Sequence, residues 1–352
     1  MVSEVKMRFG SFVFPVSHHP ENDSAVIDST LDEILLAEQI GMHSVWLTEH
    51  HFDGAAAHAD PLVLGAAIAA RTQRLRIGFA VVELAFHHPV RLAIQTSLLD
   101  NLSHGRLIMG IGRGSAYNHY EYIGFGITME EGIARLDEAE QLLVKAWTGE
   151  PLEHNGEFWD VKFPQLRPRP YQQPHPPLIR ACISEASTIN MAKIGRPVMI
   201  GIQTLETLSS RLERYEATML DAGFTEADTE ATLNQCWASR DLFVADSYDE
   251  AYEIAAAGFE RERTHFRQAR ELYNPGGFPP PDPNRPLPAG EVLEHSFIMG
   301  TPSQVAEQVA AMRDVGVRNL MLKLNVGEMD THKVQKSMRL LGEKVMPHFT
   351  GD

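Results

Sequence analysis

The sequence V-W-L-T-E-H-H-F at residues 45–52 changes from apolar to polar at Thr48. Its first half follows Gly41, which closes a predicted helix, and a continuous apolar run in that position is typical of a central parallel strand. Parallel sheets and α/β barrels carry their chemistry at the carboxyl ends of their strands, so Glu49, His50 and His51 become candidate site residues. Taken alone, the octapeptide fits equally well a glutamate that caps a helix and two solvated histidines.

The rest of the chain repeats the alternation of an apolar run with a segment of helical spacing. The predicted strands are residues 7–14, 44–48, 75–84, 106–112, 177–182, 197–201, 235–245 and 319–324. Eight such strands, each followed by a helix, predict a single (β/α)8 TIM barrel over residues 1–352, in the α/β class. A doubly wound parallel sheet is the alternative, although it would more often show a second domain.

Two segments interrupt this alternation. Residues 150–176 are rich in proline and aromatic residues, and we expect an irregular insertion there. Residues 261–294 begin with a charged stretch and become proline-dense. Because loops of this length inside a compact domain are usually functional lids or disordered segments, we predict an active-site lid over residues 261–294.

Bulk composition excludes several classes of function. The 352 residues carry a formal net charge of −16, with an isoelectric point of about 5.4. Such a surface repels phosphate backbones and anionic lipids, so we expect neither a nucleic-acid partner nor a membrane partner. The only two cysteines, Cys182 and Cys236, form no disulfide framework and no metal-site spacing. With no apolar leader and no run of transmembrane length, the sequence predicts a soluble cytoplasmic protein.

The helix predicted over residues 62–71 is apolar nearly all round. A barrel needs only one apolar face on each outer helix, so the excess indicates either a subunit interface or deep burial. We predict a homodimer, and we keep deep burial as the alternative.

Two further strand ends offer groups that suit an anionic ligand. The glycine-rich sequence GIGRG at residues 110–114, where the fourth predicted strand ends, lacks the GxGxxG spacing of a dinucleotide site. It fits either an anion-binding strand end or a turn with a solvated arginine. Ser184-Glu185-Ala186-Ser187 opens a helix directly after the fifth strand. Its hydroxyls and free N–H groups can seat a phosphate, and Ser184 can also simply cap the helix.

Other site chemistries lack their signatures. There is no HExxH motif, and His87 and His88, like His50 and His51, adjoin in sequence so that their side chains diverge; we predict no metal site. There is also no G-x-S-x-G elbow of a serine hydrolase.

Several collinear motifs together resemble the bacterial luciferase-like flavin monooxygenase family. They are VWLTEHHF (45–52), LRIGFAVV (75–82), HHPVR (87–91), SLLDNLSHGRLIMGIGRG (97–114), SEASTINMAKIGRPVMIG (184–201) and SMRLLGEKVMPHF (337–349). Their order and spacing cover almost the whole chain. The resemblance implies a (β/α)8 barrel that binds reduced FMN without a covalent bond and uses dioxygen, through a flavin hydroperoxide, to oxygenate an organic substrate.

The resemblance also assigns residue roles. His50 takes the position of the family's catalytic histidine, with Glu49 beside it, and an imidazole suits proton transfer near neutral pH. Arg113 matches the arginine that clamps the FMN phosphate, next to Gly112. Ser184, Glu185 and Ser187 match the helix start that shares this phosphate. Ala80-Val81 falls where the family often has a non-proline cis peptide bond under the flavin ring.

The chain departs from the light-emitting luciferases at two places. Gly112 stands where those enzymes have a reactive cysteine, which puts aldehyde-oxidising luciferase activity in doubt. The loop after Arg113 is one residue longer, so the register of Tyr117, a further candidate catalytic residue facing the flavin, is open. The apolar residues proposed to line the pocket predict a small, largely apolar substrate: Phe12, Phe14, Phe79, Met109, Cys182 and Ile183.

Three functions follow as hypotheses. The first is a two-component FMN-dependent monooxygenase supplied with reduced flavin by a separate flavin reductase, since no nicotinamide-binding motif is present. The second is a deazaflavin-dependent hydride-transfer oxidoreductase on the same barrel. The third is a non-catalytic flavin-binding partner subunit, which the presence of His50, Arg113 and Ser184 together argues against.

Overall fold

The computed structural model describes residues 6–115, 117–149, 151–278 and 287–351. Within these ranges the strands are β1 (Arg8–Val13), β2 (Ser44–Leu47), β3 (Arg76–Phe79), β4 (Val82–Glu83), β5 (Leu107–Gly112), β6 (Leu152–Asn155), β7 (Asp160–Phe163), β8 (Leu178–Cys182), β9 (Val198–Ile200), β10 (Trp237–Val244), β11 (Phe297–Gly300) and β12 (Asn319–Lys323). The helices are α1 (Asp23–Gln39), α2 (Pro61–Arg71), α3 (Pro89–Leu102), α4 (His119–Gly124), α5 (Met129–Thr148), α6 (Glu185–Ala192), α7 (Leu205–Asp221), α8 (Glu226–Leu233), α9 (Tyr248–Tyr273), α10 (Leu293–Ser296), α11 (Pro302–Asp314), α12 (Thr331–Lys344) and α13 (Pro347–Thr350).

The parallel strands close into a ring. Going round it, β1 is followed by β2, β3, β5, β8, β9, β10 and β12, and β12 pairs again with β1. Long helices cover the outside, and a continuous layer of buried apolar side chains lies between them and the strands. The predicted (β/α)8 barrel is confirmed, and the doubly wound alternative is excluded. No helix among the described residues is both long enough and apolar enough to cross a bilayer.

Trp46, from the stretch that opened the sequence analysis, fills the barrel interior. Its indole stacks edge-on against Trp237, with ring centroids 4.8 Å apart, and its Nε1–H donates to Ser44 Oγ at 2.8 Å. Two neighbouring strands make room with glycines: a Cβ at Gly10 would lie 2.5 Å from the indole nitrogen, and one at Gly78 would lie 2.4 Å from its ring carbon Cε3. The indole therefore plugs the barrel, and the polar residues that follow in the sequence lie above the plug, at the mouth.

The structure corrects the predicted strands in two places. The predicted third strand is interrupted, because β3 ends at Phe79 and the short β4, which pairs with β5, begins at Val82. Between them the Ala80–Val81 peptide bond is cis, as the resemblance implied. The structure also contains β11, which the sequence analysis missed and which extends the sheet beside the second half of β10.

The two predicted interruptions are more regular than expected. Residues 152–163 of the insertion form an antiparallel hairpin of β6 and β7, so the prediction of an irregular segment is wrong there. The proposed lid begins inside α9, a helix that continues to Tyr273. Its proline-dense part at 279–286 lies outside the described residues, and closure of residues 261–294 over the site stays a prediction.

Candidate active site

Glu49, just after β2, is the acceptor of several hydrogen bonds. It is buried, and its carboxylate accepts hydrogen bonds from His51 Nε2 at 2.9 Å, from His87 Nε2 at 2.8 Å and from the Glu83 backbone N–H at 2.8 Å. Burial alone would raise the pKa of Glu49, but these hydrogen bonds outweigh it and lower the pKa to about 2. Both oxygens of Glu49 are engaged, which suits a residue that positions its neighbours; a direct catalytic role stays a prediction.

His50 faces a glutamate from another element. Its Nδ1 lies 3.2 Å from Oε1 of Glu121, on α4, and the same oxygen accepts the His51 backbone N–H at 2.9 Å. The imidazole keeps 26% of its surface exposed, and its Nε2 has no hydrogen-bond partner among the described residues. Burial lowers the pKa of His50, but the hydrogen bond and charge of Glu121 prevail and raise it. His50 can thus exchange a proton at Nε2 while Nδ1 is held.

Glu83 and Glu121 are two further buried carboxyl groups at the same place. Each has one oxygen, Oε2 in both cases, with no hydrogen-bond partner in the described structure. Burial and the nearby charges of Glu121 and Glu49 raise the pKa of Glu83 well above its usual range. One ring nitrogen of His50 and one carboxyl oxygen each of Glu83 and Glu121 lie within 4.8 Å of one another. Because Nδ1 of His50 is already bonded to Glu121, we assign no metal ligand here.

The end of β5 lies beside the cis peptide bond. A Cβ at Gly112 would lie 2.8 Å from Val81 Cγ2, so a cysteine at this position would displace Val81. Arg113 follows directly; its guanidinium is partly exposed and forms no ion pair within the described ranges. Its backbone carbonyl accepts the hydroxyl of Tyr122 at 3.0 Å, which fixes the chain where β5 ends.

The start of α6 lies next to Arg113 in the ring. Strands β5 and β8 are neighbours, and Ser184 comes two residues after β8 as Arg113 comes one residue after β5. Ser184 caps α6 by accepting the Ser187 N–H at 3.1 Å, and Ser187 Oγ donates to the Ser184 carbonyl at 2.7 Å. The capping hypothesis is therefore confirmed. The N–H groups of Glu185 and Ala186 have no intrahelical acceptor, so a phosphate can still bind at this turn.

Two other predicted site residues have partners elsewhere. Glu185 forms an ion pair with Arg214, on α7. Tyr117 is 49% exposed, and the guanidinium of Arg270 lies 5.3 Å from the centre of its ring. The ring of Phe278 packs against Tyr117 in a T-shaped arrangement, with ring centroids 6.2 Å apart. Tyr117 thus contacts the end of α9 and the chain that follows it, rather than the His50 group. Catalytic and cofactor-binding roles for these two residues stay predictions.

The second half of helix α9, which lies within the predicted lid, packs against residues at the barrel mouth. Phe266 stacks on Phe14 with ring centroids 5.6 Å apart, and Phe14 in turn packs edge-on against His50 at 5.2 Å. Further along, Arg270 donates to Asn118 Oδ1 at 3.2 Å. Phe14 therefore forms an apolar wall beside His50, as predicted.

The other apolar residues proposed for the pocket are distributed differently. Phe79, Met109 and Cys182 belong to the apolar layer between the barrel and its helices, so their assignment to the pocket is wrong. Phe12 packs both against the barrel interior and against the cluster that contains Phe14, as the pocket prediction requires, and Ile183 is mostly exposed. Alternation of side chains along each strand explains the error, since residues one position apart face opposite sides of the barrel wall.

A closed parallel barrel that carries a histidine, buried carboxyl groups and an arginine with no ion pair among the described residues at its carboxyl rim defines a TIM-barrel enzyme. The model of the family described as luciferase-like monooxygenase matches residues 7–319, and the chain belongs to that family. It is similar to the oxygenase component of the flavin-dependent trigonelline monooxygenase of Acinetobacter baylyi, with 27% identity over 98% of this chain and 96% of the relative.

Solved structures share the fold. Monooxygenase RslO1 from Streptomyces bottropensis superposes with a TM-score of 0.82 and 29% identity, over 97% of this chain and 100% of that one. An F420-dependent secondary alcohol dehydrogenase superposes with a TM-score of 0.71 and 17% identity, over 97% and 98% of the two chains. The barrel as such therefore does not distinguish a flavin from a deazaflavin.

Proposed function

We propose that this chain is the oxygenase component of a two-component monooxygenase, which receives reduced FMN from a separate reductase and oxygenates a small, largely apolar substrate. The observation that supports this most is Arg113. It is a partly exposed cation with no ion pair among the described residues, placed beside a helix start with free N–H groups. A guanidinium and a helix N-terminus together match a phosphate monoester, the group that ends the FMN side chain.

Reduced FMN, when bound, supplies the electrons that activate dioxygen. The chain contributes the surroundings: Arg113, Ser184 and Ser187 would hold the phosphate, and the Ala80–Val81 cis peptide bond would contact the flavin ring. His50 holds a proton at Nδ1 against Glu121 and offers Nε2 for exchange toward the ring. Phe14 and Phe266 keep water from the adjacent space.

The cofactor is tested by thermal stabilisation. We expect reduced FMN to raise the melting temperature and reduced deazaflavin F420 to leave it unchanged, because a ligand that binds only the folded state stabilises it by mass action. Measurements are made anaerobically on the full chain. Stabilisation by the deazaflavin alone would replace this proposal with the hydride-transfer alternative.

Replacing His50 with asparagine is expected to uncouple oxygen consumption from product formation. Proton transfer by a positioned histidine typically contributes about 10²–10⁴-fold, so we expect the yield of oxygenated product per dioxygen consumed to fall at least ~10-fold, with hydrogen peroxide released instead. Oxygen uptake, peroxide and product are measured with reduced FMN and a substrate that the native enzyme converts. His19→Asn, at an exposed histidine, is the matched control; an unchanged yield in the His50 variant would contradict its role.

We further propose that the chain forms a homodimer through α2 and α3. Much of α2 is buried within the subunit, but Val63 is 68% exposed. On α3, a stripe of Ile94, Leu98 and Leu102, each one helical turn after the last, is also exposed. Such a run of exposed apolar side chains indicates a protein interface, and a second copy of this chain is the partner that also explains the apolar character of α2.

Replacing Leu98 with glutamate is expected to convert this dimer into monomers. Leu98 is already half exposed in the subunit, so the substitution leaves the fold intact but buries a charge in the dimer. Light scattering after size-exclusion chromatography should give the 39.3 kDa monomer mass for the variant and twice that for the native protein. Leu220→Glu, at a similarly exposed leucine on α7, should remain dimeric.

A further inference from the structure

Three side chains that are far apart in sequence meet beneath the mouth of the barrel. His50 follows β2, Glu83 ends β4 and Glu121 lies on α4. One ring nitrogen of His50 and one carboxyl oxygen of each glutamate lie within 4.8 Å of one another. The sequence analysis gave Glu83 no role. The proposed function uses His50, and it leaves Glu83 unexplained.

Of the three buried glutamates at this place, Glu49, Glu83 and Glu121, two have a carboxyl oxygen without a hydrogen bond. Glu49 has both oxygens engaged, and Oε1 of Glu121 receives His50 and the His51 N–H. Oε2 of Glu121 and Oε2 of Glu83 are both buried without a partner. Two ionised carboxylates in this position would repel each other, and each would leave one buried oxygen without a hydrogen bond, which is unfavourable in a dry site.

One proton between the two carboxyl groups removes both problems. A protonated Glu83 turns its unpartnered oxygen into an O–H donor, and Oε2 of Glu121 is an acceptor without a donor. The O–H bond remains on Glu83, no other bond forms or breaks, and the pair carries a single negative charge.

We propose that Glu83 is a neutral carboxylic acid that donates to Glu121, and that this pair holds the Nδ1 proton of His50 so that only Nε2 exchanges protons with the site. Glu83 is thus a positioning residue that acts on His50 through Glu121. The inference deepens the proposed function, but it concerns groups of the protein alone. The raised pKa of Glu83 is in accord with it.

The other charges around these groups do not substitute for the proton. Asp53, in the loop after His50, also raises the pKa of the imidazole, whereas Lys323 of β12 lowers it. His58 is a neighbouring imidazole, and burial is the main cause that lowers its pKa to about 4. His58 is therefore neutral at neutral pH. From α9, Arg270 interacts with Glu121 through space, but its Nε–H is donated to Asn118. None of these groups supplies a hydrogen bond to Oε2 of Glu83 or of Glu121.

The test is the titration of His50 in the flavin-free protein, followed by NMR on ¹⁵N-labelled histidine and assigned with His50→Asn. Glu83→Gln keeps the size and an N–H donor but cannot ionise. If Glu83 is neutral, we expect this variant to leave the pKa of His50 within ~0.3 of the native value. Glu121→Gln, which removes the facing negative charge, should lower the pKa of His50 by about 1 unit or more and shows that the measurement is sensitive to one charge.

Two outcomes would overturn the inference. A fall of about 1 unit in Glu83→Gln would mean that Glu83 is ionised in the native protein. A shift of the His50 resonance by one equivalent of Zn²⁺ in the native protein but not in Glu83→Gln would mean that the group binds a cation. Infrared difference spectra offer an independent readout: the carbonyl stretch of a protonated carboxylic acid should be present in native protein and absent in Glu83→Gln.

Failure here is distinguishable from failure of the proposed function. Thermal stabilisation by reduced FMN tests the cofactor and does not depend on the protonation of Glu83. An FMN-binding protein in which Glu83→Gln lowers the pKa of His50 would keep the proposed function and lose this inference.

Discussion

Replacing Arg113 with methionine is expected to weaken the binding of FMN roughly 100-fold and to leave the binding of riboflavin within about twofold. The two ligands share the ring and the ribityl chain and differ in the phosphate, so the comparison isolates the group that Arg113 is proposed to hold. A charge-assisted hydrogen bond contributes about 1.5–3 kcal/mol, and a guanidinium can form two with one phosphate. Binding is measured anaerobically with the reduced ligands by calorimetry.

The matched control is Arg339→Met, an arginine on α12 whose guanidinium, among the described residues, donates only to the backbone carbonyl one turn earlier. It should change neither affinity. Equal weakening of FMN and riboflavin in Arg113→Met would show that Arg113 acts on the ring or on the local fold. A phosphate role would then have to be sought at Ser184 and Ser187 alone.

The barrel was predictable from sequence because its information is local. Each apolar run with its following helix could be recognised by itself, and the polar stretch after Leu47 marked the mouth without any knowledge of the strand's neighbours. Strand β11 escaped because it directly follows a segment without helical or strand periodicity. The break between β3 and β4 escaped because residues 77–82, which span it, contain no charged or polar side chain that would mark a turn.

The candidate site was predictable only where residues follow strands. Glu49, His50 and Arg113 do, and the structure brings them to the same rim. Glu121 does not: it lies on α4, a helix of one and a half turns that is too short for a periodicity signal, and its proximity to His50 is a property of the tertiary fold. Phe266 lies within the predicted lid, but its contact with His50 likewise depends on how α9 packs in the tertiary fold.

A largely buried ion pair links α9 to the barrel. Lys323, at the end of β12, is paired with Glu262 of α9, and its ammonium lies 5.0 Å from the centre of the Phe14 ring. Asp241, on the neighbouring strand β10, lies close to both charges. Burial raises the pKa of Asp241 to about 7, and the charge of Lys323 is what keeps it from rising further. Lys323 therefore pairs with the carboxylate of Glu262 on α9 and also faces the carboxyl group of Asp241 in the barrel.

Replacing Lys323 with methionine is expected to lower the free energy of unfolding by about 3–5 kcal/mol at pH 8, since removing one partner leaves buried carboxyl groups without a counter-charge. The loss should shrink as the pH falls. An acid whose pKa is raised by folding binds its proton more tightly in the native state than in the unfolded state. The contribution of protonated Asp241 to the free energy of unfolding is therefore fully present below the unfolded pKa of 3.8 and is lost as the pH rises through about 7. Without Lys323 the pKa of Asp241 rises further, and the window of loss extends upward.

Urea unfolding at pH 5 and pH 8 measures this difference, with Lys336→Met as the matched control. Lys336 also forms an ion pair, with Asp246 at 2.5 Å, but both side chains are more than half exposed, so its removal should change the unfolding free energy by no more than about 1 kcal/mol at either pH. Equal losses for the two lysine variants would mean that the pair beneath α9 is solvated. A loss in Lys323→Met that is the same at pH 5 and pH 8 would mean that the ionisation of Asp241 does not depend on the lysine.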